Sequence, residues 1–331
     1  MSIPRAVCLF IGFGLAVAAC PKDRAQGALL LQDADSLAAI ASPLGHRSLY
    51  FARICAASLT QLRRCAPGEL GVVISRHSHI AGYDWLALPV IPYLYSVEDA
   101  SQVPARVDGE TVHRLRTSYH DAHLMSLGDV PESGHVRRGW DQLIGAAYER
   151  RIYAFRFETT PQQDDAFIAW MNAAANRGHF SILLKNCADF SSDILNFYFP
   201  GAFRRHIVPD GGLVTPRQVA YELVRYARKH PEIRLTVLEI PLVPGYHHRG
   251  RLGKTAVESL IASGYVIPIG FLCPYAAGAI VADYLLWGRD PLPVKDAAVL
   301  TPGSMAILAT GDRPAVNPRP TGGPSEVGSG R

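Results

Sequence analysis

Two short tetrapeptides, Thr160-Pro161-Gln162-Gln163 and Thr215-Pro216-Arg217-Gln218, constrain the architecture of this chain more than any other feature. Each offers a hydroxyl to cap a helix, a proline where the first turn needs no N–H, and a glutamine three places on that can bond back to the cap. Each therefore starts a helix. The first is expected to run to Gly178, burying Phe167, Trp170, Met171 and Ala174, and the second to about Lys229. Before the first lies Arg151–Glu158 (RIYAFRFE), whose alternation sets Tyr153, Phe155 and Phe157 on one side of a half-buried strand. After the second, Ile233–Ile240 (IRLTVLEI) reads as another strand.

The same signals organise the rest. His46–Ile54 (HRSLYFARI) and Leu70–Ser75 (LGVVIS) are rich in β-branched and aromatic residues and read as two antiparallel strands. Ile91–Tyr95 is expected as an extended piece confined to a sheet edge by Pro89 and Pro92. Val112, Leu115, Tyr119 and Ala122 recur at helical spacing behind Asp108. A further helix is expected over Gly139–Glu149, a strand over Phe180–Leu184 and a helix over Asn186–Tyr198. The run 265–287, apolar apart from Asp283, is long enough to span a bilayer, but Pro268 and Pro274 fit a surface-docked or membrane-facing hairpin as well. The end of the chain is rich in Pro, Gly and small polar residues, and 301–331 is expected to be a mostly disordered tail.

The first 20 residues have the layout of an export signal: Arg5, an apolar core Ala6–Leu15, then Ala16-Val17-Ala18-Ala19 before Cys20. Leu15-Ala16-Val17-Ala18-Ala19-Cys20 resembles the bacterial lipobox. That resemblance implies removal of residues 1–19 and several acyl chains on Cys20, enough for a stable anchor. It places the chain in a bacterial envelope facing the periplasm, and Pro21, with no acidic retention-like residue beside it, leans toward the outer membrane. Hydrophobic residues make up 48% of the chain and charged ones 19%, so the remainder can bury a sizeable core. A net charge of +4 without runs of like charge gives no case for a nucleic-acid partner. Export means an oxidising compartment, so Cys55 and Cys65 are expected to form a disulfide across a short hairpin loop. Cys187 and Cys273 are left over, and Cys273, inside the apolar run, reads as inert.

The sharpest chemical feature is Lys185-Asn186-Cys187-Ala188-Asp189-Phe190. Asn186 can cap a helix and Asp189 can complete a capping box, placing Cys187 in the first turn. The positive end of a helix dipole favours thiolate there. Most free cysteines are small buried residues without chemistry, so a partner base is needed to decide.

An NCxxF run opening a helix after a strand, with Gly45-His46 opening an aromatic-rich strand far upstream, resembles the circularly permuted branch of the NlpC/p60-type papain-fold enzymes, which includes lecithin retinol acyltransferase. The wider layout, with Gly82-Tyr83-Asp84-Trp85 after the second strand, is similar to an uncharacterised envelope family within that branch. The likeness covers roughly residues 40–200. It implies an α+β fold: a permuted papain-like domain with an antiparallel sheet and a helix-borne cysteine over 28–232, after a linker 20–27 and before an apolar C-terminal extension 233–300. It implies Cys187 as nucleophile, His46 as general base, and His77 or His79 as the residue that orients the base. The implied activity is a lipid-anchored thiol hydrolase or acyltransferase without a cofactor, acting on an amide or ester of peptidoglycan or lipid.

Three other readings compete. His77 and His79 share a strand face and, with Asp84 or His247-His248, have the donors for zinc, although no HExxH or cysteine cluster supports a metal. Tyr83, Asp84 and Trp85 can line a substrate cleft or pack as a loop. The whole domain can also serve as a non-catalytic binding or scaffolding module.

Overall fold

The computed structural model describes residues 25–33, 46–77, 80–127, 139–177, 187–203, 214–246, 261, 264, 266–286 and 291–312. The leader, Cys20, His79, the expected strand at Phe180–Leu184, His247-His248 and the tail beyond 312 lie outside the described residues.

The architecture is α+β, built on a seven-stranded, mostly antiparallel sheet. In chain order the strands are β1 (Ala25–Gln32), β2 (His46–Phe51), β3 (Ile54–Ser58), β4 (Gln61–Arg64), β5 (Val72–Ser75), β6 (Leu86–Pro89), β7 (Ile152–Thr159), β8 (Thr236–Ile240) and β9 (Ala298–Val299). The main sheet runs β6-β5-β2-β1-β7-β8-β9, while β3 and β4 form a separate hairpin. Every neighbour is antiparallel except β8 and β9. The expected pairing of the His46 and Leu70 segments is present as β2 against β5, with Leu49 opposite Ile74 and Phe51 opposite Val72. The Cys55–Cys65 disulfide closes the β3–β4 hairpin that leaves the sheet between them.

The helices are α1 (Val90–Tyr95), α2 (Gly109–His123), α3 (Pro161–Ala173), α4 (Cys187–Tyr198), α5 (Pro216–Lys229), α6 (Val266–Leu272), α7 (Pro274–Leu286) and α8 (Ala306–Thr310). Asp108 caps α2 through the Thr111 N–H, and Thr160 and Gln163 form a reciprocal capping box on α3. Thr215 accepts from the Gln218 N–H to start α5.

Four expectations need correction. Ile91–Tyr95 is the helix α1 rather than a strand: Pro92 sits in its first turn, where no donor is required, and the edge strand is β6 just before it. Gly139–Glu149 forms two 3-10 turns, Gly139–Gln142 and Ala146–Tyr148, because Gly145 takes φ 72° between them. A Cβ on Gly145 would lie 2.6 Å from Ser96 Oγ, so close approach also demands glycine there. β7 is buried on both faces, not one, since helices and turns cover the sheet on either side. α3 ends at Ala173 rather than Gly178, which leaves Ala174 exposed, and Trp170 is 44% exposed, its α3 face meeting the rim of the core rather than its centre.

The sheet separates two apolar layers. One holds Leu30, Tyr50, Val73, Tyr93, Leu94, Tyr148 and Ile240 beneath α1 and α2. The other holds Leu29, Leu49, Phe51, Phe155 and Phe167 beneath α3, α4 and α5. Within 233–300, β8 and β9 pair into the sheet and Leu300 enters the first core; in the expected tail 301–331, α8 forms and Met305 and Leu308 enter that core too; and β1 begins at Ala25, inside the expected linker 20–27.

Candidate functional site

Strand alternation decides what stands at the end of the sheet where β2 begins. His46, Ser48 and Tyr50 face the α1 side, whereas Arg47, Leu49 and Phe51 face the α4 side. β5 ends at the same place, so His77 comes to lie beside His46, and their rings stack with centroids 4.6 Å apart. Of the two residues named from the sequence as partners of His46, His77 lies within the described residues and is the one seen beside it.

A buried polar cluster supports the two rings. His77 Nε2 and Ser75 Oγ share a hydrogen bond of 2.8 Å, and the Gln142 side chain bonds the same imidazole. Gln32, opposite His46 in the β1–β2 register, donates to the Tyr93 hydroxyl at 2.5 Å, and Ser48 Oγ bonds that hydroxyl at 2.9 Å. His46 Nε2 is buried without any hydrogen-bond partner among the described residues. Such a group carries a desolvation cost and calls for an explanation.

Cys187 opens α4 on the other side of the sheet end, and its thiol is free. Its carbonyl accepts from Arg47 Nε at 3.3 Å and from Ser191 Oγ at 2.9 Å. Arg47, wholly buried, also reaches the Thr215 and Pro216 carbonyls at 3.5 Å each, tying the starts of α4 and α5 to β2. Its remaining nitrogen, Nη2, has no partner among the described residues.

Burial governs the electrostatics. It pushes the Cys187 thiol up, against the opposing pull of Arg47 and of the backbone N–H groups. The helix-dipole expectation of a lowered thiol is thus outweighed: a helix end is worth about 1 kcal/mol, and desolvating a charge costs more. Burial also pushes His46 well below its ordinary value, with His77, Arg150 and Arg47 adding repulsion, and brings His77 down to about 4. Arg47 falls to about 10 by burial. Tyr93 rises to about 12, chiefly by burial, with the nearby Cys187 charge contributing. Thiol and imidazoles are all neutral near pH 7.

The other expected positions have structural duties. Trp85 is buried in the α3–α4 core, and its backbone N–H and C=O are both held by the Asn176 side chain. Asp84 is engaged by Arg76 at 2.5 Å, and Arg76 in turn lies over the Phe190 ring of α4. Tyr83 packs half-buried against the α1 core. These three residues pack as a loop, with Asp84 paired to Arg76. Among the described residues the grouping with metal-ligand spacing is Cys55, Cys65 and Glu69, whose two thiols are consumed by the disulfide.

Sequence reasoning missed Arg47, Tyr93, Gln32, Ser75 and Gln142. Arg47 was legible in principle, since the HRSLYF alternation sets it on the same face as Leu49 and Phe51 and marks it as a buried charge. The others are brought in by long-range pairing. In comparisons with known proteins, no family model, curated protein or solved structure matches the chain.

Proposed function

We propose that the chain is a lipid-anchored thiol hydrolase or acyltransferase of the bacterial envelope, with Cys187 as nucleophile and His46 as general base in a permuted papain-like fold. The observation that carries this reading is the packing of α4 on β2 at the sheet end, where Arg47 Nε holds the Cys187 carbonyl and the neighbouring His46 has a buried Nε2 with no partner among the described residues. Burial and the neighbouring positive charges lower its affinity for a proton, so it takes one only as the thiol gives one up.

The neutral state of both groups sets the mechanism. A thiolate is not stored in advance, so the thiol proton passes to His46 Nε2 as sulfur attacks the carbonyl carbon of an amide or ester. The first N–H groups of α4, which lack intrahelical partners, face the developing oxyanion. Collapse returns the proton to the departing amine or alcohol and leaves a thioester on Cys187. Water or an acceptor alcohol then attacks the thioester, which makes the outcome hydrolysis or acyl transfer. His77, stacked on His46 and fixed by Ser75 and Gln142, orients the base. Peptidoglycan peptides and membrane lipids both offer suitable bonds in the envelope, and the lipid on Cys20 holds the chain beside them.

The test is acylation by an activated nitrophenyl ester, read by intact-protein mass and peptide mapping. The adduct is expected on Cys187, slowed about 100-fold or more in His46→Ala and absent in Cys187→Ala. Equal rates in wild type and His46→Ala would sink the catalytic pair and favour the binding-module reading.

A further inference from the structure

The connection between β8 and β9 carries a feature that the thiol chemistry does not use. α6 (VIPIGFL) and α7 (PYAAGAIVADYLL) meet at Cys273 and pack on each other through small residues, a Cβ built on Gly270 lying 3.6 Å from Ala277 Cβ. Neither helix has more than a marginal contact with any other element among the described residues. With the small side chains turned inward, the large ones face out: Ile267, Phe271, Leu272, Tyr275 and Leu285 are between 67% and 91% exposed.

We propose that this hairpin dips into a lipid bilayer, its tip at Phe271, Leu272 and Tyr275 entering the hydrocarbon and the chain returning on the same side. Four observations select lipid over a protein groove. First, α6 has no polar side chain and α7 has Asp283 as its only charged residue, near its end. A protein groove covers one stripe of a helix, whereas a segment apolar all round needs surroundings apolar all round.

Second, the backbone at the bend is closed on itself. The Cys273 N–H donates to the Ile269 carbonyl at 2.7 Å, and the Cys273 carbonyl accepts from Ala276 and Ala277 at 3.0 and 3.1 Å. Pro274 has no N–H to satisfy. A turn facing hydrocarbon must meet its hydrogen bonds internally, and this one does.

Third, length and topology exclude a crossing. Helices of 7 and 13 residues extend about 10 and 20 Å, short of the roughly 30 Å of a hydrocarbon core. No helix among the described residues is long and apolar enough to cross a membrane. Both ends of the connection are also pinned to one sheet edge, where Leu238 pairs with Ala298 and Glu239 with Val299. Fourth, the sequence leading in, 247–264, has three basic residues, Arg249, Arg251 and Lys254, against the single acidic Glu258, a charge balance that suits anionic headgroups.

The inference rests on neither Cys187 nor Cys20, and the test keeps them apart by reading the hairpin locally. Full-length protein carrying Phe271→Trp is mixed with vesicles of phosphatidylethanolamine and phosphatidylglycerol, and the added indole is measured against wild type. The expected result is a blue shift, quenching by lipids brominated along the acyl chain, and loss of quenching by aqueous iodide. In the F271E/L272E double variant, whose positions are too exposed to be needed for folding, vesicle association through the hairpin falls at least about 10-fold per residue. Unchanged iodide quenching with lipid present would overturn the proposal. So would shielding from iodide before lipid is added that grows with protein concentration, the sign of a second copy covering the face.

Discussion

The two faces of the sheet end answer the same problem, a titratable group out of water, in opposite ways. On the α1 side the solution is neutral hydrogen bonding: Tyr93 joins Gln32 and Ser48, Ser75 joins His77, and His46 Nε2 has no partner among the described residues. On the α4 side the solution is a buried cation, Arg47, spread over three backbone carbonyls at the starts of two helices. The first arrangement keeps the imidazoles neutral, and the second holds the starts of α4 and α5 against β2. A polar cluster tolerates loss of one member, whereas a guanidinium bridging two helices does not.

That contrast makes the largest prediction. Arg47→Ala leaves a cavity and three unpaired carbonyls, and is expected to cost about 3–5 kcal/mol, read as a lower denaturant midpoint. In the volume-filling Arg47→Met, the Cys187 thiol loses its opposing charge and titrates higher than in wild type, measured by the pH dependence of alkylation. A lower thiol pKa in that variant would reverse the assigned role.

The histidine side predicts a pH effect of intermediate size. His77 is held at about 4 when folded against an ordinary 6.5, so the unfolded chain binds its proton first as pH falls. Stability is therefore lost between pH 6.5 and about 4, by up to about 3 kcal/mol from this group. Asp164, raised to about 6, works the other way, losing stability as pH rises from 3.8 to 6. His77→Phe is expected to flatten the acid-side decline, and an unchanged slope in urea titrations at pH 4 to 7 would remove His77 as its source.

The smallest effect is expected of Tyr93→Phe, which keeps the ring and removes two hydrogen bonds, costing about 1–2 kcal/mol. If it cost as much as Arg47→Ala, the contrast between a tolerant cluster and an indispensable bridge would fail.

Local chemistry made the cap-driven parts legible. Asp108, Thr160 and Thr215 each satisfy an orphan N–H within their own turn, so α2, α3 and α5 begin where the sequence places them. The disulfide joins two cysteines ten residues apart across one hairpin, a spacing the sequence shows directly. Less was visible where neighbours decide. Pro92 forbids a central strand position but not a helical first turn, and only the register of β6 with β5 shows which was taken. Gly145 breaks a helical pattern because Ser96 and Arg116 approach it from 49 and 29 residues away, which no window of sequence contains.

The sequence by itself determined the starts of α2, α3 and α5, the segments that become β2, β5, β7 and β8, and the disulfide, because caps, alternation and short loops act over a few residues. Only the tertiary structure decided that His46 and Arg47 face opposite layers, that His77 stacks on His46, and that burial neutralises the thiol. Those outcomes depend on which strands pair and on how much water is excluded, and both are fixed by contacts between residues far apart in the chain.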